Sequence, residues 1–372
     1  MDPKVYWVAF NLVKGIGAVR LRALLDYFGN LEIAWQAPLD GLRAAGLPAR
    51  CLENLLQIRK GCSLQQIWEA IEKRGIQVLT WEDAAYPPRL LQIAQPPPVL
   101  FVNGQIRPED EWAVSIVGTR RLTGYGHQVA SELATFLAHN GITVVSGLAR
   151  GIDRVAHEAA LKAGGRSIAV LGSGVDRIYP PEHASLAERM AEQGAVISDY
   201  PLGTPPDSTN FPPRNRIIAG LSLATVVIEA AETSGALITA TFAAEQGRDV
   251  FAVPGGIYAP QSKGTNRLIQ QGAQPLIKFE DLLVELNMDK VPEQRAARSI
   301  LPANDVETRL VKILANEPRH VDDICVQSGL PIDQVSATLT IMELKGMVRQ
   351  AGGMNFALIR ENQADYQVDQ DA

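Results

Sequence analysis

VSIVGTRR, residues 114–121, is a short apolar run that ends in a glycine, a threonine and two arginines. The same event recurs three times before residue 256, where an apolar run passes into a cluster of Gly, Ser or Thr, usually beside an arginine. The later runs are Val144-Val145 before Ser146-Gly147, Ile168-Ala169-Val170-Leu171 before Gly172-Ser173-Gly174, and Val226-Val227-Ile228-Glu229 before Ser234-Gly235. Alternation of such runs with helical patterns predicts an α/β fold, with a parallel sheet covered on both faces.

The ends of these runs predict a groove for several phosphate groups. In an open parallel sheet the carboxyl ends of the strands lie along one edge, where ligands bind. Gly and Ser turns that lead into helices present backbone N–H groups and positive dipole ends there. Guanidinium groups match the geometry of phosphate and stay charged. The candidate phosphate-binding residues are Gly118, Thr119, Arg120, Arg121, Ser146, Gly147, Arg150, Gly151, Gly172, Ser173, Gly174, Arg214, Asn215, Arg216, Ser234, Gly235 and Thr239.

Composition and periodicity divide the chain into five segments. They are a helical module at 1–75, the α/β domain at 76–286, a linker at 287–303, a winged helix at 304–360 and a disordered acidic tail at 361–372. In the first segment, Leu21, Leu24 and Phe28 recur at helical spacing. In the fourth, three short helical patterns precede a hairpin around Gly352-Gly353.

Two local patterns have both a structural and a functional interpretation. Gly15-Ile16-Gly17 separates two helical patterns and could hold a nucleic-acid phosphate, but short glycine turns are ordinary connectors, and we interpret it as one. Asp153 and His157 stand four residues apart at the start of a helix, as an acid–base pair or half a metal site could. We instead interpret Asp153 as favouring the helix N-terminus and His157 as the partner of a neighbouring loop.

Composition and missing motifs argue against several classes of protein. The net charge is −6, so any affinity for phosphate must come from local arrangement. Three cysteines are too few for a disulfide framework or a Cys-based zinc site. There is no P-loop motif, no serine lies in G-x-S-x-G, and Arg177 stands where a dinucleotide fingerprint needs its third glycine. We therefore predict no catalytic residues, no metal and no cofactor. The lack of a signal peptide or a long apolar run predicts a cytoplasmic protein that does not bind membranes.

Several motifs between about Tyr86 and Ala273 resemble, in order, those of the DNA-processing protein A (DprA/Smf) family. They are IVGTRR at 116–121, SGLARGID at 146–153, LGSGVD at 171–176, FPPRNRIIAG at 211–220, SGALIT at 234–239 and FAVPG at 251–255. The resemblance implies an extended Rossmann-like, doubly wound sheet that binds single-stranded DNA, usually as a homodimer. A helical N-terminal module, SAM-like or helix-hairpin-helix-like, and a C-terminal winged helix fit the family's variable architecture.

The resemblance also implies a function in natural transformation. The family protects incoming DNA, loads the RecA recombinase onto it and helps displace single-strand binding protein, which is a further candidate partner. We therefore predict a recombination mediator rather than an enzyme. One departure concerns His183-Ala184, where many members carry asparagine, sometimes next to lysine. One DNA contact is expected to be weaker there, or to be supplied elsewhere.

Two other functions remain as alternatives. The same Rossmann variant resembles the LOG-like phosphoribohydrolases, which cleave nucleoside monophosphates with a Pro-Gly-Gly-x-Gly-Thr run and a glutamate. Here Pro254-Gly255-Gly256 lies well before Gly264-Thr265, and Asn266 follows instead of an acid. The second alternative is a transcription regulator that acts through the winged helix, but the presumed recognition helix at 332–345 lacks the basic face of a major-groove reader.

Overall fold

The computed structural model describes residues 2–287, 304–314, 319–344, 347–350 and 353–358. The chain divides into two compact units, Met1–Asp289 and Lys290–Ala372. Nearly all of the linker expected at 287–303, and the whole acidic tail expected at 361–372, lie outside the described residues. The five segment boundaries therefore stay predictions.

Residues 4–72 are largely helical, as the spacing of their apolar residues predicts. The helices are α1 Lys4–Asn11, α2 Ala18–Phe28, α3 Leu31–Gln36, α4 Leu39–Ala44, α5 Ala49–Gly61 and α6 Leu64–Glu72. Asn30 caps α3 and Ser63 caps α6, because each side chain accepts a hydrogen bond from a backbone N–H of the first turn. Gly15 has a φ of 97° in the turn between α1 and α2, a conformation that favours glycine.

Nine strands in the first unit form one sheet, in the order β1-β2-β6-β5-β4-β3-β7-β8-β9. They are β1 Gln77–Thr80, β2 Val99–Gly104, β3 Ala113–Val117, β4 Thr143–Ser146, β5 Ser167–Val170, β6 Ala195–Ser198, β7 Ala224–Val227, β8 Asp249–Ala252 and β9 Gln274–Pro275. The strands from β3 to β9 pair in parallel, whereas β1 and β2 join one side of the sheet by antiparallel pairing. The predicted α/β fold with a parallel sheet is confirmed.

Helices cover the sheet and connect its strands. They are α7 Pro88–Leu91, α8 Gly124–His139, α9 Ile152–Lys162, α10 Ala184–Gln193, α11 Phe211–Leu221, α12 Ala236–Glu245, α13 Lys263–Gln270 and α14 Phe279–Glu285. The chain passes from β3 through β4 and β5 to β6, and then returns to β7 on the other side of β3. Such a reversal is a topological switch point, where the carboxyl ends of β3 and β7 leave a crevice for a ligand.

Two hydrophobic clusters meet at β1 and β2. Val78 and Phe101 pack with the N-terminal helices, around Phe10. Leu79 and Leu100 belong to the cluster of the main sheet. Successive residues of a strand point to opposite faces of the sheet. Alternate residues of β1 and β2 therefore belong to the cluster of the N-terminal helices and to the cluster of the main sheet. The N-terminal helices therefore share a hydrophobic core with the sheet.

The second unit has a winged-helix arrangement. Its described elements are α15 Asp305–Leu314, β10 Arg319–His320, α16 Val321–Ser328, α17 Ile332–Leu344, β11 Val348–Gln350 and β12 Asn355–Leu358. The strands β11 and β12 form the predicted antiparallel hairpin, and β10 pairs with β12. Leu310, Ile324 and Leu339, one from each helix, are fully buried in its core. Across the parts of both units that the structure describes, no helix is long and apolar enough to span a membrane.

Candidate nucleic-acid interface

A cavity of about 680 Å³ opens at the switch point between β3 and β7. Most of its lining comes from the loop after β3, the start of α11 and the segment after β7 that leads into α12, and the segments after β4, β5 and β6 add further residues. The predicted residues that it brings together are Gly118, Thr119, Arg120, Arg121, Arg214, Asn215, Ser234, Gly235 and Thr239. The switch point thus gathers residues that are more than 100 positions apart in the sequence.

The loop after β3 is held at both ends by Glu229, which follows β7. The Thr119 N–H donates to the Glu229 backbone carbonyl at 2.7 Å, and the Thr123 N–H and hydroxyl donate to the buried Glu229 carboxylate at 3.0 and 2.5 Å. Thr123 also caps α8. Between these anchors, Arg120 and Arg121 are exposed. Their guanidinium groups are therefore presented to solvent from a short loop whose ends are fixed.

The loop after β4 is held in an unusual conformation by two buried histidines. Leu148 has a φ of 55°, a left-handed conformation that is uncommon for a non-glycine residue. Its N–H donates to His157 Nε2 at 3.3 Å, and its carbonyl lies 2.9 Å from His183 Nδ1. The Asp153 carboxylate accepts hydrogen bonds from the Gly147 and Ala149 N–H groups. His157 therefore supports the loop, as the structural interpretation predicted, and Asp153, predicted to favour the helix N-terminus, bonds the same loop from the first turn of α9.

Burial fixes the protonation state of His157. The pKa of this side chain falls to about 3, chiefly because burial disfavours the charged form, with smaller contributions from His183 and Arg214. Because Nε2 accepts from Leu148, the ring proton lies on Nδ1, which donates to the Ser167 hydroxyl at 2.7 Å. His157 is thus neutral at physiological pH and serves as an acceptor.

Arg214 reaches the cavity wall but is mainly part of the interior. It is 5% exposed, and it donates to the Gly147 carbonyl at 2.8 Å and to the Val170 carbonyl. Burial lowers its pKa to about 10, while the nearby Asp153 carboxylate opposes that shift, so the guanidinium stays charged at neutral pH. Its Nη1 donates to the loop after β4 and to the last residue of β5, and its Nε donates to Asn215 Oδ1, which differs from the expected role as a counter-charge to phosphate.

Arg216 lies outside the cavity. Residues two apart on a helix do not share a face, so Arg214 and Arg216 point in different directions from α11. Arg216 pairs with Asp199 at 2.7 Å, donates to the Gln95 carbonyl, and lines a separate cavity of about 230 Å³. The expectation that it shares a groove with Arg120 does not match this placement.

Arg150 and Gly147 line a smaller cavity that adjoins the first. Arg120, Arg214, Tyr179 and Phe211 line it as well. The exposed Arg150 pairs with Glu182 at 2.6 Å. Exposed ion pairs contribute little to stability, so a phosphate could replace Glu182 as the partner of Arg150 at small cost.

The remaining predicted residues support the loops or lie beneath them. The buried Ser146 hydroxyl donates to the Ile116 carbonyl at 2.6 Å, and the buried Ser173 hydroxyl donates to the Arg177 carbonyl at 2.7 Å. Both hydroxyls are bonded within the fold and neither residue lines a cavity, which differs from the phosphate-donor role that the sequence predicted for them. The residues that line neither cavity are Ser146, Gly151, Gly172, Ser173, Gly174 and Arg216.

Glycine is required at Gly151 because the loops after β3 and β4 meet there. Its φ is 82°, and a Cβ atom would overlap the Thr119 carbonyl oxygen. Gly147 is crowded in a similar way, since a Cβ atom would lie 2.6 Å from the Arg214 guanidinium. Gly151 therefore allows the loop after β4 to approach the loop after β3, and Gly147 allows it to approach Arg214.

An aromatic pair beside the cavity was not among the predicted site residues. The rings of Tyr179 and Phe211 stack with centroids 5.6 Å apart at an interplanar angle of 28°. The Arg120 guanidinium lies 5.8 Å from the centre of the Phe211 ring, within the range of a cation–π contact. The position of Phe211 next to two prolines and an arginine could have indicated it, but the sequence alone does not show that Tyr179 approaches it.

The charge of the site is positive. Arg120, Arg121 and Arg214 line the main cavity, against Asp153 as the acidic residue among the described lining residues. The described residues contain no cluster of His, Cys, Asp and Glu suited to a metal ion. The arrangement offers cationic groups, the positive end of α12 and aromatic surface, which together can bind a flexible polyanion that carries flat rings.

Comparison with known proteins gives the family. A family model described as DNA recombination-mediator protein A matches residues 77–287, and one described as DprA winged helix domain matches residues 294–354. The chain is 37% identical over an alignment of 390 residues to the protein Smf of Synechocystis sp., covering 95% of this chain and 98% of that protein.

Solved structures of two bacterial proteins are among those similar to this one. The X-ray structure of DNA processing protein A from Streptococcus pneumoniae has a TM-score of 0.68 and 33% identity, covering 76% of this chain and 97% of that chain. DNA processing protein A from Helicobacter pylori, described for its single-stranded DNA binding mode, has a TM-score of 0.52 and 31% identity, covering 58% and 98%. Together with the family model that spans more than half of the chain, these matches show that the chain belongs to the DNA recombination-mediator protein A (DprA/Smf) family.

Proposed function

We propose that this protein is a recombination mediator that binds single-stranded DNA at the switch-point cavity and acts without catalysis. The observation that carries the proposal is the pair of exposed arginines, Arg120 and Arg121, on an anchored loop beside the stacked rings of Tyr179 and Phe211. Arginines and aromatic rings are the two components of a general single-strand binding surface. Phosphate contacts carry no base information, so sequence preference should be slight.

The proposed contacts to DNA differ in kind. Arg120 and Arg121 pair with phosphates directly, and Arg150 joins them by exchanging Glu182 for a phosphate. The Gly235 N–H, at the start of α12, adds a donor at the positive end of that helix, whereas the neighbouring Ser234, Ala236 and Leu237 N–H groups donate within the fold. Arg214 contributes through the loop that it holds.

The wider role follows from the family. We propose that the protein protects incoming DNA, loads RecA onto it in natural transformation, and acts as a cytoplasmic homodimer. The DNA-binding description of the Helicobacter pylori relative supports the first step. Single-strand binding protein is the further proposed partner, because it occupies the same DNA.

The phosphoribohydrolase alternative gains no support from the site. The Asp153 carboxylate is buried and bonded to two loop N–H groups. Asn266, which stands where those enzymes have an acid, forms two hydrogen bonds with the backbone of Gly255. Incubation with AMP is expected to release no adenine.

The salt dependence of DNA binding tests the proposal. In fluorescence anisotropy titrations with labelled single-stranded DNA, Arg120→Ala and Arg121→Ala should each reduce the magnitude of the log–log salt slope by about 0.7, the value for one lost phosphate contact. Arg189→Ala, at an exposed arginine of α10, is the matched control and should leave slope and affinity unchanged. Wild-type slope and affinity in both Arg120→Ala and Arg121→Ala would rule out this cavity as the DNA site.

A further inference from the structure

The segment from Phe251 to Lys278 is cationic in a chain that is acidic overall. It contains Lys263, Arg267 and Lys278 and no aspartate or glutamate, whereas the whole chain has a net charge of −6. The segment begins in the second half of β8, after Asp249, and includes the loop after β8, α13 and β9. A local excess of positive charge of this kind favours contact with a polyanion.

The loop after β8 begins on the same edge of the sheet as the cavity. β8 is parallel to β7 and adjacent to it, so their carboxyl ends lie side by side. The Tyr125 hydroxyl donates to the Pro254 carbonyl at 3.1 Å. Tyr125 lies in the first turn of α8, four residues after Arg121. The surface thus continues from the cavity, across Tyr125, to the loop after β8.

This loop displays apolar and aromatic surface. Tyr258 is 91% exposed and Ile257 is 73% exposed. Tyr125, which bonds this loop from α8, is half exposed. The base of the loop is ordered, because Asn266 forms two hydrogen bonds with the Gly255 backbone. Lys263, the first residue of α13, is exposed five positions after Tyr258. A fixed loop therefore presents an uncovered ring and a cation next to the cavity.

We propose that the loop at 254–263 is a second contact surface for single-stranded DNA, where Tyr258 stacks on a base and Lys263 pairs with a phosphate. This inference rests on the proposed function, since it extends the path of the same strand beyond the cavity. Stacking accepts any base, because every base has a π-face. Continuity with the cavity and the charge of the segment favour DNA over a protein partner.

Oligonucleotides of increasing length separate the two surfaces. Oligothymidylates are titrated by anisotropy against wild type, Tyr258→Ala, Tyr258→Phe and Lys263→Gln. We expect Tyr258→Ala to lower affinity roughly tenfold for the longer oligomers, a typical loss for one stacked base, and to leave the shortest binding oligomer unaffected. Tyr258→Phe should retain wild-type affinity, and Lys263→Gln should reduce the salt slope only for long oligomers. Tyr27→Ala, at an exposed tyrosine of α2, is the control.

The possible failures are distinguishable. Equal affinity of wild type and Tyr258→Ala at every length would overturn the second surface, while the proposed function would stand if Arg120→Ala still weakened binding. Absence of single-stranded DNA binding by the wild type would remove both. Sedimentation velocity gives an independent arm: if Tyr258→Ala converted a dimer into monomers, the loop would be an interface between copies, and the inference would be wrong.

Discussion

Burial separates the arginines that the sequence presents as equivalent. Arg120 and Arg121 are exposed, whereas Arg214 is almost entirely enclosed and bonds two backbone carbonyls. A buried guanidinium of this kind orders the loops around it. An exposed one is available to a ligand. The same residue type therefore contributes to the interior of the fold in one place and, in the proposed function, to binding in another.

Arg214→Ala should destabilise the protein, unlike Arg120→Ala. Removal of the guanidinium leaves the buried Asp153 without the positive charge that favours its ionised form, and leaves the Gly147 and Val170 carbonyls without a donor. We expect the free energy of unfolding to fall by about 3 kcal/mol or more, as when a buried charge loses its partner. Arg120→Ala should stay within about 0.5 kcal/mol of wild type, as is usual at the surface. Urea denaturation measures both, and equal stability of the two variants would contradict the interior role of Arg214.

The sequence predicts which residue types form the site better than it predicts where their side chains point. The arginines at 214 and 216 follow the same Phe-Pro-Pro lead-in, and both were expected to face the groove. Which one points inward depends on loops such as that of Gly147, 67 residues away. Local patterns carry no record of such distant contacts. For the same reason the stacking of Tyr179 on Phe211 was not foreseen.

At the scale of elements, the loop between β4 and α9 shows how a strained turn is maintained. Leu148 adopts its left-handed conformation because its N–H and carbonyl are both bonded to buried histidines, and its side chain is fully buried. His183, which departs from the family pattern, is 2% exposed. Its side chain acts on the loop from beneath, so any DNA contact at this point must come from neighbouring residues.

The stability of the folded chain should depend on pH through His157, which supports this loop. The pKa is about 3 in the folded chain and near 6.5 when unfolded, so only the unfolded chain takes up a proton between these values. The stabilisation is complete above about pH 6.5 and is lost as pH falls toward 3, by about 1.4 kcal/mol per pH unit. His157→Gln, which keeps an acceptor but does not titrate, should be less stable at neutral pH and show a shallower decline in acid. Urea melts at several pH values test this, and parallel pH profiles would exclude His157 as the titrating group.

Strands and helices were largely predictable, because their periodicity is a local property. The three helices and the hairpin predicted for the second unit are present, in the predicted order, among the described residues. The prolines between Tyr86 and Pro98 favour extended backbone, yet this passage contains the one-turn helix α7. Pro88 is its first residue, and proline is well tolerated there because its missing N–H would have no helical partner.

At the scale of the whole molecule, the N-terminal helices and the sheet are interdependent. Composition divides the chain near residue 75, but β1 and β2 each contribute one face to the cluster of the helices and the other to the main core. The sequence shows alternating apolar residues in these strands. It does not show which partner covers each face.

Removal of residues 1–75 should therefore destabilise what remains. The truncation would expose Phe101 and Val78, which are 0% and 4% exposed in the full chain. We expect a lower thermal midpoint and concentration-dependent aggregation, because a contiguous apolar patch would face solvent. Differential scanning calorimetry of the truncated and full chains measures this. In the full chain, Phe101→Ala should cost about 3–5 kcal/mol. An unchanged midpoint after truncation would mean that the helices fold as an independent attachment.

The return of the chain from β6 to β7 has a consequence for synthesis. Ser115 and Thr225, whose hydroxyls bond across β3 and β7 at 2.7 Å, are 110 residues apart in sequence. A nascent polypeptide that has not yet emerged as far as β7 already carries Arg120 and Arg121, but nothing forms the opposite wall of the crevice. Such long-range pairings form slowly, since loop closure must precede them. The crevice is therefore completed only after β7 has been synthesised, late in biogenesis.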